Sequence, residues 1–167
     1  MLLRPWEPQD APALYAVLAD DEVWPWLGAT PQRCPDVEAA ARTIARWSQL
    51  ADGPLGIWAI EAADVADPTP CGSALVVPLP RSDGAPTEAV EIGWHLHPAA
   101  WGRGYATEAA LALVDRVRDA GLPLLHAVVR EGNDRSMAVC DRLGMTRLGP
   151  TQEWYGTEFV DHVLRLG

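Results

Sequence analysis

The run His97-Pro98-Ala99-Ala100-Trp101-Gly102-Arg103-Gly104-Tyr105-Ala106-Thr107-Glu108-Ala109 sets two glycines around an arginine, between a strand-like and a helix-like segment. The first N–H groups of a helix have no partner inside it, and with the helix dipole they favour an anion such as a phosphate. Glycine at 102 and 104 removes the Cβ that would keep an anion away from the backbone. Arg103 can add charge at the mouth. Upstream, a regular strand puts Glu91, Gly93, His95 and His97 on one face and Ile92, Trp94 and Leu96 on the other. Downstream, Asn133 and Ser136 stand three residues apart, the spacing of one helix face. Asn133 is also a good helix cap, and Ser136 suits a first helical turn.

The glycine spacing alone does not name the anion. Gly102-x-Gly104-x-x-Thr107 is an incomplete dinucleotide fingerprint, and it lies past the middle of the chain rather than after a first strand. No Gly-Lys-Ser or Gly-Lys-Thr is present, which excludes a Walker A loop. His95-x-His97 has no third ligand at a recognisable spacing, so no metal is expected. His126 and His162 fall within strands and read as structural.

The elements that must position these residues follow from periodicity and punctuation. Leu2 to Trp6 reads as a strand, and Asp10 can cap a helix carrying Leu14, Val17 and Leu18. After a loop rich in proline and aromatics, Asp36 can cap a second helix with Val37, Ala40, Ile44, Trp47 and Ala51 on one face. Gly56 to Ala62, Gly72 to Val77 and Glu88 to His97 read as three strands of an antiparallel meander. They are separated by Asp67-Pro68-Thr69-Pro70 and by the loop Pro78 to Pro86. Ala106, Ala109, Ala110, Leu113 and Val117 share a helix face that Gly121 and Pro123 close. Leu124 to Val129 is a buried strand, and a helix from Asn133 or Asp134 ends at Gly144. Met145 to Leu148 and Thr157 to Leu166 are the closing strands. The order β-α-α-β-β-β-α-β-α-β-β describes a mixed α/β sheet. The strands flanking Gly102 and Gly121 should be parallel, because one helix joins them.

The chain has 167 residues and no internal repeat or linker, which fits one domain over 1–167. Its net charge of −10 argues against nucleic acid and slightly favours a cationic small molecule or amine. No apolar run is long enough to span a membrane, and the start of the chain does not read as a signal peptide. Three cysteines, Cys34, Cys71 and Cys140, without C-x-x-C spacing point to a reducing cytoplasm.

Glu91-Ile92-Gly93-Trp94-His95-Leu96-His97-Pro98, the run Trp101 to Ala109, and Asn133-Asp134-x-Ser136 with Leu143-Gly144-Met145 together resemble the GNAT family of N-acetyltransferases, most closely its RimJ/RimL-like branch. The family's loop is Gln/Arg-x-x-Gly-x-Gly/Ala; Trp101, Gly104 and Ala106 fill those positions, with Trp101 a departure. The resemblance implies an acyl-CoA N-acyltransferase-like fold: a mostly antiparallel sheet, a central parallel pair splayed open, and helices on both faces. It implies acetyl-CoA or another acyl-CoA as co-substrate. The pyrophosphate would sit on Gly102, Arg103, Gly104, Tyr105, Ala106 and Thr107. Pantetheine would pair with backbone near Trp94 and Leu96, and Asn133 would hold the same arm. Glu91 is then the candidate base, His95 the second candidate, and Trp94 or His95 N–H the oxyanion donor. The family often has a bulge in this strand, which would break the alternation. Where many members carry a leaving-group tyrosine this chain has Cys140, so Ser136 takes that role.

The acceptor, an amine, would bind opposite the CoA against Trp24, Pro25, Trp26, Trp154 and Tyr155, with cation–π help. A non-catalytic CoA-binding module and a nucleotide-binding protein are the rival readings. A monomer and a homodimer are both compatible with exposed edge strands.

Overall fold

The structure, a computed structural model, describes residues 1–63 and 69–167. Asp67 and Pro68 of the expected break lie outside the described residues. The elements are β1 (Leu2–Pro5), α1 (Ala11–Leu18), α2 (Val37–Trp47), β2 (Gly56–Glu61), β3 (Gly72–Pro78), β4 (Val90–Leu96), α3 (Tyr105–Asp119), β5 (Leu124–Val129), α4 (Asp134–Arg142), β6 (Thr146–Thr151) and β7 (Phe159–Arg165). They form a sheet of order β1-β2-β3-β4-β5-β7-β6. Its neighbours are antiparallel except β4 and β5, which are parallel as their crossover through α3 requires.

Each strand sends alternate side chains to two layers. Ile92 and Leu96 of β4, Val76 of β3 and Leu125 of β5 meet Ala109, Leu113 and Val117 of α3 and Val139 and Cys140 of α4 in one core. On the other face Ala59 of β2 packs with Trp6, Leu14 of α1, and Ala40 and Ile44 of α2. Burying a side chain such as Leu113 or Ile92 stabilises by about 1.5–3 kcal/mol, so the strand that carries Glu91 is anchored from below.

Helix ends follow the local chemistry. Asp36 accepts the Ala39 N–H at 2.7 Å, an N-cap. Gly121 and Gly144 take positive φ after α3 and α4, and the Leu122 and Met145 N–H groups bond back to Val117 and Cys140 carbonyls, closing both helices.

Three expectations need correction. Asp10 does not cap α1: its carboxylate takes Arg4 at 2.6 Å and the Glu7 N–H at 2.8 Å. Arg4 also reaches Glu61 at 2.5 Å, and its bond to Asp10 holds the Asp10 carboxyl below its usual range. The strand expected at Met145–Leu148 runs on to Thr151 through Pro150. As β6 is an edge strand paired only with β7, the missing proline N–H breaks no ladder. No bulge interrupts β4 against β3: the partners run in one register from Gly72 with Leu96 to Pro78 with Val90, and the alternation of Glu91 and His95 is kept.

Candidate active site

Gly102 and Gly104 both take positive φ, +74° and +82°. A side chain there would be strained, and a Cβ built on either meets no atom within 4 Å, so the loop faces open space. The Glu108 N–H makes a helical bond to the Gly104 carbonyl, which leaves the amides of Ala106 and Thr107 ahead of the ladder. Gly102, Gly104, Tyr105, Ala106 and Thr107 line a cleft of about 1770 Å³. The Tyr105 side chain itself is core. Arg103 is exposed and stands outside the lining. Arg135 lies over the Trp101 ring at 4.1 Å and lines the cleft beside the loop, a cation that sequence reasoning missed.

The cleft runs into the gap between β4 and β5. Pairing between these strands is recorded at one position, Glu91 beside His126, after which they diverge. Backbone groups alternate sides along a strand. Leu79 N–H bonds to Ala89 O and His97 N–H to Cys71 O, so odd residues of β4 face β3. Trp94 and Leu96 therefore direct their N–H and C=O groups at the gap. Of the two proposed oxyanion donors, the His95 N–H belongs to the β3 ladder and the Trp94 N–H remains. The Leu96 carbonyl accepts the Trp101 indole N–H at 2.9 Å, which gives Trp101 a fixed place at the end of β4.

Asn133 is the N-cap of α4, its carbonyl oxygen taking the Ser136 N–H at 3.2 Å. Its amide N–H₂ stays available, and both Asn133 and Ser136 line the cleft. Cys140 is fully buried in the core, and burial pushes its thiol up to about 12. It therefore cannot stand in for a tyrosine acid.

On the opposite face of β4, Glu91 accepts the Tyr155 hydroxyl at 2.5 Å. Burial raises the Glu91 carboxyl to about 7; the Tyr155 bond opposes this, and the charge of Asp161 adds to it. Asp161 is buried and meets His126 Nδ1 at 3.1 Å and the Trp154 indole N–H at 3.2 Å. Tyr155 adopts φ +57°, a strained setting for a non-glycine residue that aims its ring from the β6–β7 turn at Glu91. His126 holds Asp161 beside Glu91 from the neighbouring strand and lies outside the cleft lining. Asp161 could not be found from sequence, because nothing local says that β7 lies beside β5.

His95 is corrected as a base. Its ring packs on Trp47 at 6.0 Å, its Nε2 is buried without a hydrogen-bond partner, and burial lowers it to about 4. It stays neutral and is a poor proton acceptor at pH 7. The expected acceptor wall is also redrawn. Trp26 and Tyr155 line the cleft, as do Trp47 and Phe159, which were not foreseen. Trp24 turns its indole to Asp21 at 3.1 Å and Trp154 is buried against the His126 ring; neither is in the lining. Among the described residues no group of three or more His, Cys, Asp or Glu could hold a metal ion. No helix among them is long and apolar enough to cross a membrane.

The profile of the acetyltransferase (GNAT) domain family matches residues 1–146. An uncharacterized N-acetyltransferase, YoaA, of Bacillus subtilis (strain 168) is 28% identical over 156 residues, covering 92% of this chain and 84% of that protein. The acetyltransferase structure from Agrobacterium tumefaciens str. C58 is 26% identical with a TM-score of 0.72, covering 97% of this chain and 88% of that one. RimJ of Mycobacterium smegmatis, solved with CoA-disulfide, has a TM-score of 0.76 at 21% identity, covering 98% and 80% of the two chains, a likeness of fold. The sequence match, the splayed β4–β5 pair and the anion-ready loop agree: the chain belongs to the acetyltransferase (GNAT) domain family.

Proposed function

We propose that residues 1–167 act as one acyl-CoA-dependent N-acetyltransferase domain, with acetyl-CoA as donor and a primary amine as acceptor. The observation that carries this reading is the single cleft that joins the loop 102–107, the open side of β4 and Glu91. The residues fit the donor: the loop offers the Ala106 and Thr107 amides at the helix start to a pyrophosphate, and the β4–β5 gap offers backbone groups to the amides of pantetheine. Bound there, acetyl-CoA supplies an activated thioester. The Trp94 N–H stabilises charge at the thioester oxygen. Glu91, ionised above about pH 7, takes a proton from the amine, so that the nitrogen forms the new C–N bond as the C–S bond breaks. The Ser136 hydroxyl donates to the departing sulfur. The products are the N-acetyl amine and free CoA thiol.

A RimJ/RimL-like placement rests on Trp101 in the signature loop and on the fold likeness to RimJ. A reducing, cytoplasmic setting rests on three free cysteines.

Amine-dependent release of thiol from acetyl-CoA tests the activity. Ser136→Ala should lower kcat about tenfold or more and leave the acetyl-CoA dissociation constant within about twofold. An unchanged kcat would reduce Ser136 to a helix-start residue. Tight acetyl-CoA binding with no thiol release from any amine would mean a binding module.

A further inference from the structure

The charge of −10 favours a polycationic acceptor, yet the cleft does not carry that charge. Its lining holds four carboxylates, Glu22, Glu91, Glu108 and Asp134, against five guanidiniums, Arg33, Arg46, Arg130, Arg135 and Arg142; Glu22, Glu108 and Asp134 are exposed. Glu22 is exposed at the rim, 3.9 Å from Arg135. Glu91 alone reaches inside, where the Tyr155 hydroxyl fixes it. Arg130 is tied to the Gly28 and Ala29 carbonyls at 2.7 Å and lies over the Phe159 ring.

The surface beside Glu91 is apolar. Ile57, Leu75, Val77 and Trp47 form its floor, with Trp26 and Phe159 at its walls. Leu75 covers the strip between Glu91 and His95: a Cβ on Gly93 would come within 3.1 Å of its Cδ1. His95 adds only a neutral ring stacked on Trp47.

We propose that the acceptor is a monoamine on a bulky apolar body, an arylalkylamine in class, whose nitrogen meets Glu91 and whose body lies on Leu75, Val77, Ile57 and Trp47; this rests on the acyl-transfer reading above. A polyamine or aminoglycoside would bring further ammonium groups to a lining in which, among the described residues, guanidiniums outnumber carboxylates five to four and every carboxylate but Glu91 is exposed to water. A monoamine leaves no buried charge unmatched, and its body removes apolar wall from water. One proton passes from the amine to Glu91, the C–N bond forms and the C–S bond breaks; the thiolate leaves on the Ser136 hydroxyl hydrogen bond and takes a proton from water, to which Glu91 returns its own.

The test measures thiol release by the full chain with acetyl-CoA and phenethylamine, spermidine or kanamycin. Phenethylamine should have a kcat/KM at least about tenfold above either polycation. Trp26→Ala, at an exposed position, should raise KM for phenethylamine several-fold with a smaller change in kcat. Faster turnover of spermidine or kanamycin would overturn the assignment and leave acyl transfer standing. No thiol from any amine, with acetyl-CoA still raising the melting temperature, would overturn both.

Discussion

Glu91→Gln should abolish acyl transfer and at the same time raise the melting temperature above pH 7. In the fold Glu91 keeps its proton up to about pH 7, against an ordinary value of 4.5. Between these pH values the native state holds more protons than the unfolded chain, so this group makes stability fall as pH rises, and the loss is complete above pH 7. The shift corresponds to up to about 3 kcal/mol. Glutamine keeps the shape and can still accept the Tyr155 hydroxyl but carries no charge. The variant should match the native chain near pH 4.5 and melt several degrees higher at pH 8. Loss of a general base should lower kcat by about 10²–10⁴ and remove the limb of kcat/KM that rises through pH 7. Tyr155→Phe, which removes a bond favouring the carboxylate, should move that limb to higher pH. Parallel pH–stability curves for the native chain and Glu91→Gln would contradict a buried carboxyl at this site.

Gly104→Val should remove acetyl-CoA binding while the chain still folds. The position has φ +82°, where an L side chain costs about 1–2 kcal/mol, but a Cβ there meets no protein atom within 4 Å. The fold therefore bears only backbone strain. The valine methyls would occupy the space in front of the loop amides. Losing two charge-assisted bonds of about 1.5–3 kcal/mol each weakens binding more than a hundredfold. Gly84→Val is the control, with the same positive φ, +73°, in a loop away from the cleft. It should pay the same strain and bind acetyl-CoA normally. Equal affinity in Gly104→Val and the native chain would separate the loop from the anion.

Much of this architecture is written locally in the chain. The element order came from periodicity and punctuation, because Asp36, Gly121 and Gly144 act within one helical turn of themselves. The glycine loop was legible for the same reason. What escaped depends on which side-chain partner each residue takes in the fold, near or far in sequence. His95 read as a proton carrier from its ordinary titration range; Trp47, forty-eight residues away in sequence, helps bury it and keeps it neutral. Asp10 read as a cap because nothing in the capping pattern reveals Arg4, held between Asp10 and Glu61, as its partner. Trp24 and Trp154 read as pocket wall by type and loop position. Their indole N–H groups instead found Asp21 and Asp161, and such pairings decide which way a tryptophan turns.

The measurement that bears most directly on the account is the melting temperature of the native chain with acetyl-CoA, beside free CoA, NAD and ATP. A ligand at a hundred times its dissociation constant adds about 2.7 kcal/mol, a rise of several degrees for a chain of this length. The account predicts that rise with acetyl-CoA and CoA and none with NAD or ATP, and its loss in Gly104→Val. A rise with NAD or ATP alone, or with no nucleotide at all, would contradict it.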